Sequence, residues 1–432
     1  MSILISRCLF YNLNISFESR INNMWKNLHP NIRKRIQIEF LSRLGSSLIF
    51  PFMSIYLFHA YNAQITGVLM MINIIISFLA GIYGGYLTDV FGRRRLLLFG
   101  EFIKLLASIG IVCANLPVYH FPWLTFVMMF LGNIASGLIS PASEAMLIDV
   151  STEKTRAFMY AINYWANNLA LMVGMIIGGW LFERHFLLLT TILVIINISS
   201  LLLTKYLITE THEQMVNIKC HVGFQSVFHS YQIVLCDVRF VIFTLGGILL
   251  LSVEFQRTNF IAIHLVQSFI HTKWLGISFD GVKMLSLLTS INTAIIVLFT
   301  APISRWITNR NTKKIFVMGT TLFTLGYALQ AYVNTLPLLI FSSFILSFGE
   351  LMYVPTRQSK LADLMPENKR GAYLAFNGSI FQLGKVIASS MLIGAPFLGS
   401  FGIATAIIFL GLGAIILTLW ALRLIPDNQS NM

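Results

Sequence analysis

Twelve stretches of this chain are apolar for about 20 residues or more, the length a helix needs to cross a hydrocarbon core. Read from their polar breaks, they run over 36–60, 65–88, 96–115, 122–148, 157–182 and 187–208, then over 240–263, 282–304, 315–334, 337–362, 371–396 and 401–424. In hydrocarbon a backbone has no water to satisfy its N–H and C=O groups, so each run is expected to bond within itself as a helix. The polar stretch 209–239 separates six spans from six. The expected architecture is an all-α membrane protein of twelve transmembrane helices in two pseudo-symmetric six-helix bundles. Its parts are an N-terminal segment (1–35), a first bundle (36–208), a linker (209–239), a second bundle (240–424) and a tail (425–432).

The loops between these runs differ in charge. With the N-terminus inside, 23 Lys and Arg fall on the cytoplasmic side, 3 fall outside (Arg184, Lys273, Lys283), and 4 lie within spans. Short cytoplasmic loops retain positive residues, so both termini and the linker are expected to be cytoplasmic in a multi-pass cell-membrane protein. Residues 3–10 form a short apolar run broken by Arg7 and Cys8, without a convincing cleavage site. Met24 opens a more ordinary polar entry into the first helix, so residues 1–23 are expected to be dispensable or a mis-assigned start.

Composition narrows the functional classes. Hydrophobic residues make up 56% of the chain and charged residues 11%, against roughly 25% charged in a soluble domain. With a mean hydropathy of +0.76, too few polar side chains exist to coat a soluble surface. A formal charge of +13 suits a nucleic-acid binder only on a soluble basic face. Here the cations sort by loop, so no nucleic-acid partner is expected. Cys8, Cys113, Cys220 and Cys236 have no CxxC spacing, so neither a metal site nor a disulfide framework is expected. The histidines lie in loops or at helix ends, and no HExxH, GxSxG or HxxxxD occurs. Metal or acyl-transfer chemistry has no visible apparatus, so the chain is not expected to be an enzyme. A channel would need a ring of like residues or a filter loop, and neither is evident.

One pattern recurs at half the chain length. Pro141, Asp149, Arg156 and Asn163 return as Pro355, Asp363, Arg370 and Asn377, each displaced by 214. Both sets run from the exit of an even-numbered helix, through a loop, into the next helix. The physical reading is two equivalent halves with a pathway between them. An Asp at a helix C-terminus faces the unfavourable end of the dipole and should find a partner. Asp149, Arg156, Asp363 and Arg370 are therefore expected to clasp helices at a cytoplasmic gate, with simple capping as the alternative.

Between the second and third spans stand Gly85, Leu87, Asp89, Gly92, Arg93, Arg94 and Arg95. Gly85 would allow close helix contact, Gly92 a tight turn, and Asp89 an anion for the arginines or a helix end. This spacing resembles the loop signature G-x-L-x-D-x-x-G-R-[KR] of the major facilitator superfamily, and with twelve spans and the repeat the resemblance covers about residues 25–425. The second-half counterpart, 303–314, keeps its basic residues but lacks the Gly and Asp. Gly174, Met175, Gly178 and Gly179 are similar to an antiporter signature with Met175 in place of its proline, although close packing also explains such glycines. Asn133 stands where many drug/proton antiporters carry an arginine.

Tyr164-Trp165-Ala166-Asn167-Asn168-Leu169, the run 349–355, and Asn259-Phe260 before His264-Leu265 are similar to the LmrP-like drug/proton antiporter branch. Glu350 matches one of that branch's membrane-embedded carboxylates, while Asn163 and Thr258 replace two others. The resemblance implies a secondary transporter exporting hydrophobic or cationic small molecules in exchange for protons by alternating access. Its partners would be substrate, protons and the lipid bilayer, its driving force a proton gradient rather than a cofactor, and its state a monomer. A carrier of the same fold moving a metabolite, sugar or small peptide is the alternative.

A charge in hydrocarbon is costly and marks a functional candidate. Glu39/Arg43 at i,i+4, and Glu101/Lys104 and Glu254/Arg257 at i,i+3, can neutralise each other on one helical face. Glu144, Glu350 and Lys385 have no partner one turn away. At ~1.5 Å per residue, Glu350 lies about 20 Å deep, Lys385 about 21 Å and Glu144 about 7 Å. The coupling candidates are Glu350 first, then Glu254, Arg257, Glu144, Lys385, Glu39 and Arg43. The competing reading is a permanent Glu350–Lys385 bridge. Asn163, Tyr164, Trp165, Phe255 and Tyr353 are the candidate substrate pocket, with packing the alternative for any one of them. The candidate gate comprises Gly85, Asp89, Gly92, Arg93, Arg94, Asp149, Arg156, Asp363 and Arg370.

Overall fold

The computed structural model describes residues 25–26, 28–211, 234–274, 276–308, 310–366 and 370–423. The expected N-terminal segment 1–23, most of the linker and the tail lie outside the described residues. The first six long helices are α1 (Pro30–Ala60), α2 (Ala63–Phe91), α3 (Arg93–Ala114), α4 (Pro122–Asp149), α5 (Glu153–Leu181) and α6 (Phe186–Leu207). The last six begin with α7 (Val238–Ser268), α8 (Gly281–Thr308), α9 (Thr312–Tyr332) and α10 (Leu336–Leu364). A helical run Arg370–Arg423 then doubles back at Gly399, where φ is 63°, and supplies α11 before the bend and α12 after it. A short antiparallel hairpin, β1 (Thr272–Trp274) and β2 (Ile277–Phe279), joins α7 to α8. Among the described residues, ten runs, the double one included, are long and apolar enough to cross a membrane. The long helices expected from the sequence are the helices found.

Both spans that open a half are broken at mid-length. In α1 the break is a 3₁₀ turn, Phe50–Phe52, and Pro51 accounts for it, since proline lacks the N–H and crowds the preceding turn. In α7 the 3₁₀ turn Phe255–Thr258 is followed by Asn259 at φ −110° and ψ −96°, with no proline present. Pro141 and Pro355, the first members of the repeat, lie inside α4 and α10.

Small residues set the tightest helix contacts, because they let backbones approach. A Cβ at Gly349 would lie 2.6 Å from the Gly319 carbonyl, which draws α10 against α9. Between α2 and α4 the close approach is at Gly84, where a Cβ would lie 2.9 Å from Leu138 Cα. The sequence expectation placed that contact at Gly85, but a Cβ there meets nothing within 4 Å. One residue is a rotation of about 100°, enough to turn Gly85 off the interface. On the outer wall of α2, Ile72, Ile75, Leu79, Tyr83, Tyr86 and Val90 are exposed at helical spacing, as a lipid-facing surface requires.

Loops bearing the basic clusters gather on one face of the bundle, the basic face. The prominent contacts between the two halves lie at the opposite face. There Gly179 of α5 packs on Ser286 of α8, whose hydroxyl donates to the Met175 carbonyl at 2.7 Å. Gly67 of α2 packs on Ser389 and Ile393 of α11. At the basic face the ion pairs among the described residues stay within one half, Arg93–Asp149 in the first and Lys360–Asp363 in the second. The halves are thus sealed together at the opposite face.

Candidate functional site

The broken middles of α1 and α7 border a cavity of about 400 Å³ between the halves. Its wall includes Arg43, Phe50, Met70, Asn73, Asn133 and Met175 from the first half, and Glu254, Phe255, Arg257 and Lys385 from the second. Each half therefore contributes charge and apolar surface to one chamber. Asn133 Nδ2 donates to Asn73 Oδ1 at 2.7 Å, so an amide pair occupies the place where an arginine was sought.

Asn292 of α8 organises the second half's share. Its Oδ1 accepts from Arg257 Nη1 at 2.9 Å, and its Nδ2 donates to Glu350 Oε2 at 2.9 Å and to Ser347 Oγ at 3.0 Å. The guanidinium of Arg257 also lies 5.1 Å from the centre of the Tyr327 ring. The local neutralisation expected of Glu254 and Arg257 does not occur, since these residues make no ion pair among the described residues. The i,i+3 argument assumes a continuous α-helix, and the 3₁₀ turn at 255–258 redirects Arg257 toward α8. Likewise Lys385 is not bridged to Glu350. Its Nζ sits 5.3 Å over the Phe255 ring.

Glu39, Glu144 and Asn163 open instead into a second cleft of about 500 Å³ within the first half, lined also by Arg35, Arg43, Lys104 and several serines. Asn167 Nδ2 donates to Glu39 Oε1 at 3.3 Å. Glu39 and Arg43 form no ion pair among the described residues, although Arg43 borders both cavities. Arg35 Nε donates to Ser143 Oγ at 2.7 Å. By contrast Glu101 and Lys104 pair at 2.8 Å, as their spacing implied.

The aromatic candidates divide. Phe255 lines the central cavity. Tyr164 is 65% exposed and lies on the α5 face shared by Asn167 and Leu171. Trp165, one residue further round the helix, lines neither cavity. Tyr353 is 4% exposed and packs edge-on against Phe323 at 4.8 Å, so it is core between α9 and α10 rather than pocket wall.

At the basic face Gly92 turns with φ 91°, a conformation that favours glycine. Arg93 Nε reaches Asp149 Oδ2 at 3.2 Å, and Arg93 Nη1 donates to the Thr88 carbonyl at 3.0 Å. The Asp149 partner is thus Arg93, not Arg156, whose Nε donates to Ser151 Oγ at 3.1 Å. Asp363 pairs with Lys360 at 2.8 Å. The side chains of Asp89 and Arg370 lie outside the described residues. Glu210, just beyond α6, accepts from the backbone N–H of Arg93 at 3.0 Å and of Arg94 at 3.1 Å. Arg94 Nη2 donates to the Lys205 carbonyl at 2.7 Å. A helix opening on three arginines, as α3 does, needs an anion near its positive end. That need was the available signal for Glu210, which sequence reasoning missed along with Asn292.

The repeated Asn163 and Asn377 each hold a buried Oδ1 without a hydrogen-bond partner among the described residues. A Major Facilitator Superfamily model matches residues 38–272 and again 258–431. The chain belongs to the major facilitator superfamily. It is 30% identical over 408 residues to a "Na(+), Li(+), K(+)/H(+) antiporter" of Planococcus maritimus, covering 90% of this chain and 95% of that one. It is 24% identical over 357 residues to "Multidrug resistance protein MdtH" of Baumannia cicadellinicola, covering 80% of each. A solved POT family transporter, crystallised with 5-aminolevulinic acid, superposes with a TM-score of 0.70 over 91% of this chain and 95% of that chain. At 19% identity that likeness speaks for the fold alone. The superfamily member described here is a multi-pass membrane transporter, a secondary carrier and not an enzyme.

Proposed function

We propose that this transporter exports hydrophobic or cationic small molecules in exchange for protons, as a monomer of the cell membrane with its basic face and both termini in the cytoplasm. The observation that carries the reading is a chamber walled by Phe50, Met70, Met175 and Phe255 that also presents the Glu254 carboxylate, with Glu350 tied to its rim through Asn292 and Arg257. An apolar wall suits a lipophilic cargo, polarisable methionines adapt to varied shapes, and Glu254 offers a carboxylate to a cationic cargo among the wall's own cations Arg43, Arg257 and Lys385. Glu350 is the principal coupling residue, alternating between proton and cargo. Glu254, Arg257, Lys385 and Arg43 set the field around it, and Glu39 and Glu144 serve the first-half cleft. Coupling then arises because proton and cargo bind differently to the two conformations. Asp149, Arg93 and Glu210 belong to the gate that closes the cytoplasmic face, and the LmrP-like resemblance supports this branch.

The Planococcus maritimus relative favours a second reading, in which the exchanged cation is Na⁺, Li⁺ or K⁺. Everted vesicles separate the two. With respiration supplying the gradient, ethidium and Hoechst accumulation should collapse on adding a protonophore. In the same vesicles, salts of the three alkali cations should leave the pH gradient intact. Alkali-driven collapse of the gradient without dye transport would install the second reading. Transport of neither class would return cargo to the metabolite, sugar or small-peptide alternative.

A further inference from the structure

At the face where the halves are sealed, the first half holds a pocket of about 490 Å³ that the transport pathway does not use. It is lined by Tyr56 and His59 of α1, Asn115 and His120 between α3 and α4, Phe182 and Glu183 between α5 and α6, and Phe186 at the start of α6. The rings form one connected cluster. Tyr56 stacks on Phe186 with centroids 5.1 Å apart and meets His120 edge-on at 5.9 Å, and Phe182 meets Phe186 edge-on at 5.2 Å. Tyr56 is held in place by its hydroxyl, which donates to Asn115 Oδ1 at 2.7 Å and lies 3.1 Å from Thr125 Oγ1. Phe182 also packs on Phe52 at 5.1 Å, so aromatic core separates this pocket from the central chamber.

The acid on its rim is uncommitted. Glu183 makes no ion pair among the described residues, and Lys283, the nearby ammonium, is taken by Asp280 at 2.8 Å. Arg184 and His185 follow in the chain and are exposed. Ring faces are electron-rich and attract cations within about 6 Å of their centres. An anion would meet π faces and a carboxylate, whereas an organic cation is attracted by both. A volume of several hundred Å³ is ordinary for a small-molecule site.

From this geometry we infer that the pocket formed by Tyr56, Phe186, His120 and Glu183 is a second binding site, on the outer face of the transporter, for a small organic cation of quaternary-ammonium type. Its ligand class follows from its own lining and does not depend on what the central chamber carries.

The test uses the full chain in intact cells, with Cys8, Cys113, Cys220 and Cys236 replaced by serine and the pocket residue Leu187→Cys as reporter. Modification by a membrane-impermeant, cationic trimethylammonium methanethiosulfonate should be slowed about threefold or more by tetraethylammonium, and not by benzenesulfonate. Glu183→Gln and Tyr56→Leu should each abolish the protection, whereas Tyr56→Phe, which keeps the ring, should retain it. Modification in the absence of protector reports that each variant still reaches the surface. The protection should persist in Glu350→Gln, so failure of the transport reading leaves this one standing. No protection in the parent, protection that survives Glu183→Gln, equal protection by the sulfonate, or its loss in Tyr56→Phe would each overturn the site.

Discussion

Asn292 stands between Arg257 and Glu350, accepting from the first and donating to the second, each at 2.9 Å. A neutral amide thus keeps a cation and a carboxylate in one network without joining them directly. The amide orientation is dictated by this pairing, because its oxygen must face the guanidinium and its nitrogen the carboxylate. Replacing it with an apolar side chain leaves both charges short of a partner, at a cost of about 1–3 kcal/mol. Asn292→Leu is expected to lower the melting temperature of the purified protein and to reduce coupled dye efflux about tenfold or more. Wild-type efflux in Asn292→Leu would remove the amide from the coupling network.

Glu350→Gln changes less. The Gln carbonyl can still accept from Asn292, so the packing is retained and only the titratable charge is lost. Proton-driven export should be abolished while expression and melting temperature stay near wild type. Export at the wild-type rate would show that coupling resides elsewhere, with Glu254 the next carboxylate to test.

Two glycines make a paired test of helix packing. Gly349→Val must force α10 away from α9, where the Gly319 carbonyl and the Phe323 backbone occupy the space a side chain would need. Overpacking of this kind costs about 1–3 kcal/mol, and thermal melts should record it. Gly85→Ala enters open space and should stay within about 0.5 kcal/mol of wild type. Equal melting temperatures for the two variants would contradict the contacts described.

Glu210→Ala removes the anion from the N-terminus of α3, an interaction worth about 0.5–1 kcal/mol at such a site. It should also release the start of the linker from the Arg93 and Arg94 amides. Limited proteolysis of right-side-in and everted vesicles should show faster cleavage near residue 210, and only from the basic face. Unchanged cleavage would mean that other bonds, such as Thr211 Oγ1 to Asp149 at 3.3 Å, hold the segment alone.

Partial burial holds the Glu183 carboxyl above its ordinary value of 4.5, with the nearby Asp280 charge pushing the same way and His59, Lys283 and His271 opposing it. A raised folded-state value means the protonated form is favoured on folding. That contribution is fully present below 4.5 and is lost as pH rises through the folded value. The group is half exposed, so solvent screening keeps the effect small. Melting temperature should decline slightly from 4.5 upward in the wild type, and Glu183→Gln should flatten that part of the profile. A steeper decline in the variant would reverse the sign of the argument.

Part of the candidate site is legible in the chain before folding. Glu350, Glu254, Arg257 and Lys385 stand out because each is an ionisable group inside an apolar run, and such groups are too costly to leave there without a use or a partner. Their mutual arrangement was not visible. Glu254 and Arg257 read as a local pair until the 3₁₀ turn at 255–258 separates them, and no proline announces that turn. Tyr353 and Trp165 share short similar stretches with cavity residues, yet a helical rotation of about 100° per residue sends neighbours to different surfaces. Asn292 is an unremarkable polar residue in α8 until α7 and α10 bring Arg257 and Glu350 to either side of it.

What the linear chain determined by itself is the membrane, the twelve spans and the duplication. Each depends on local quantities, namely apolar length, loop charge and a displacement of 214 between Pro141, Asp149, Arg156 and Asn163 and their partners. What tertiary structure alone decided is partnership. Arg93 rather than Arg156 meets Asp149, Glu210 rather than an acid of its own first turn answers α3, and Asn292 rather than Lys385 holds Glu350. Those choices turn on which helix faces meet and where a helix is interrupted, and distances of about 3 Å between residues far apart in sequence are set only when the spans pack.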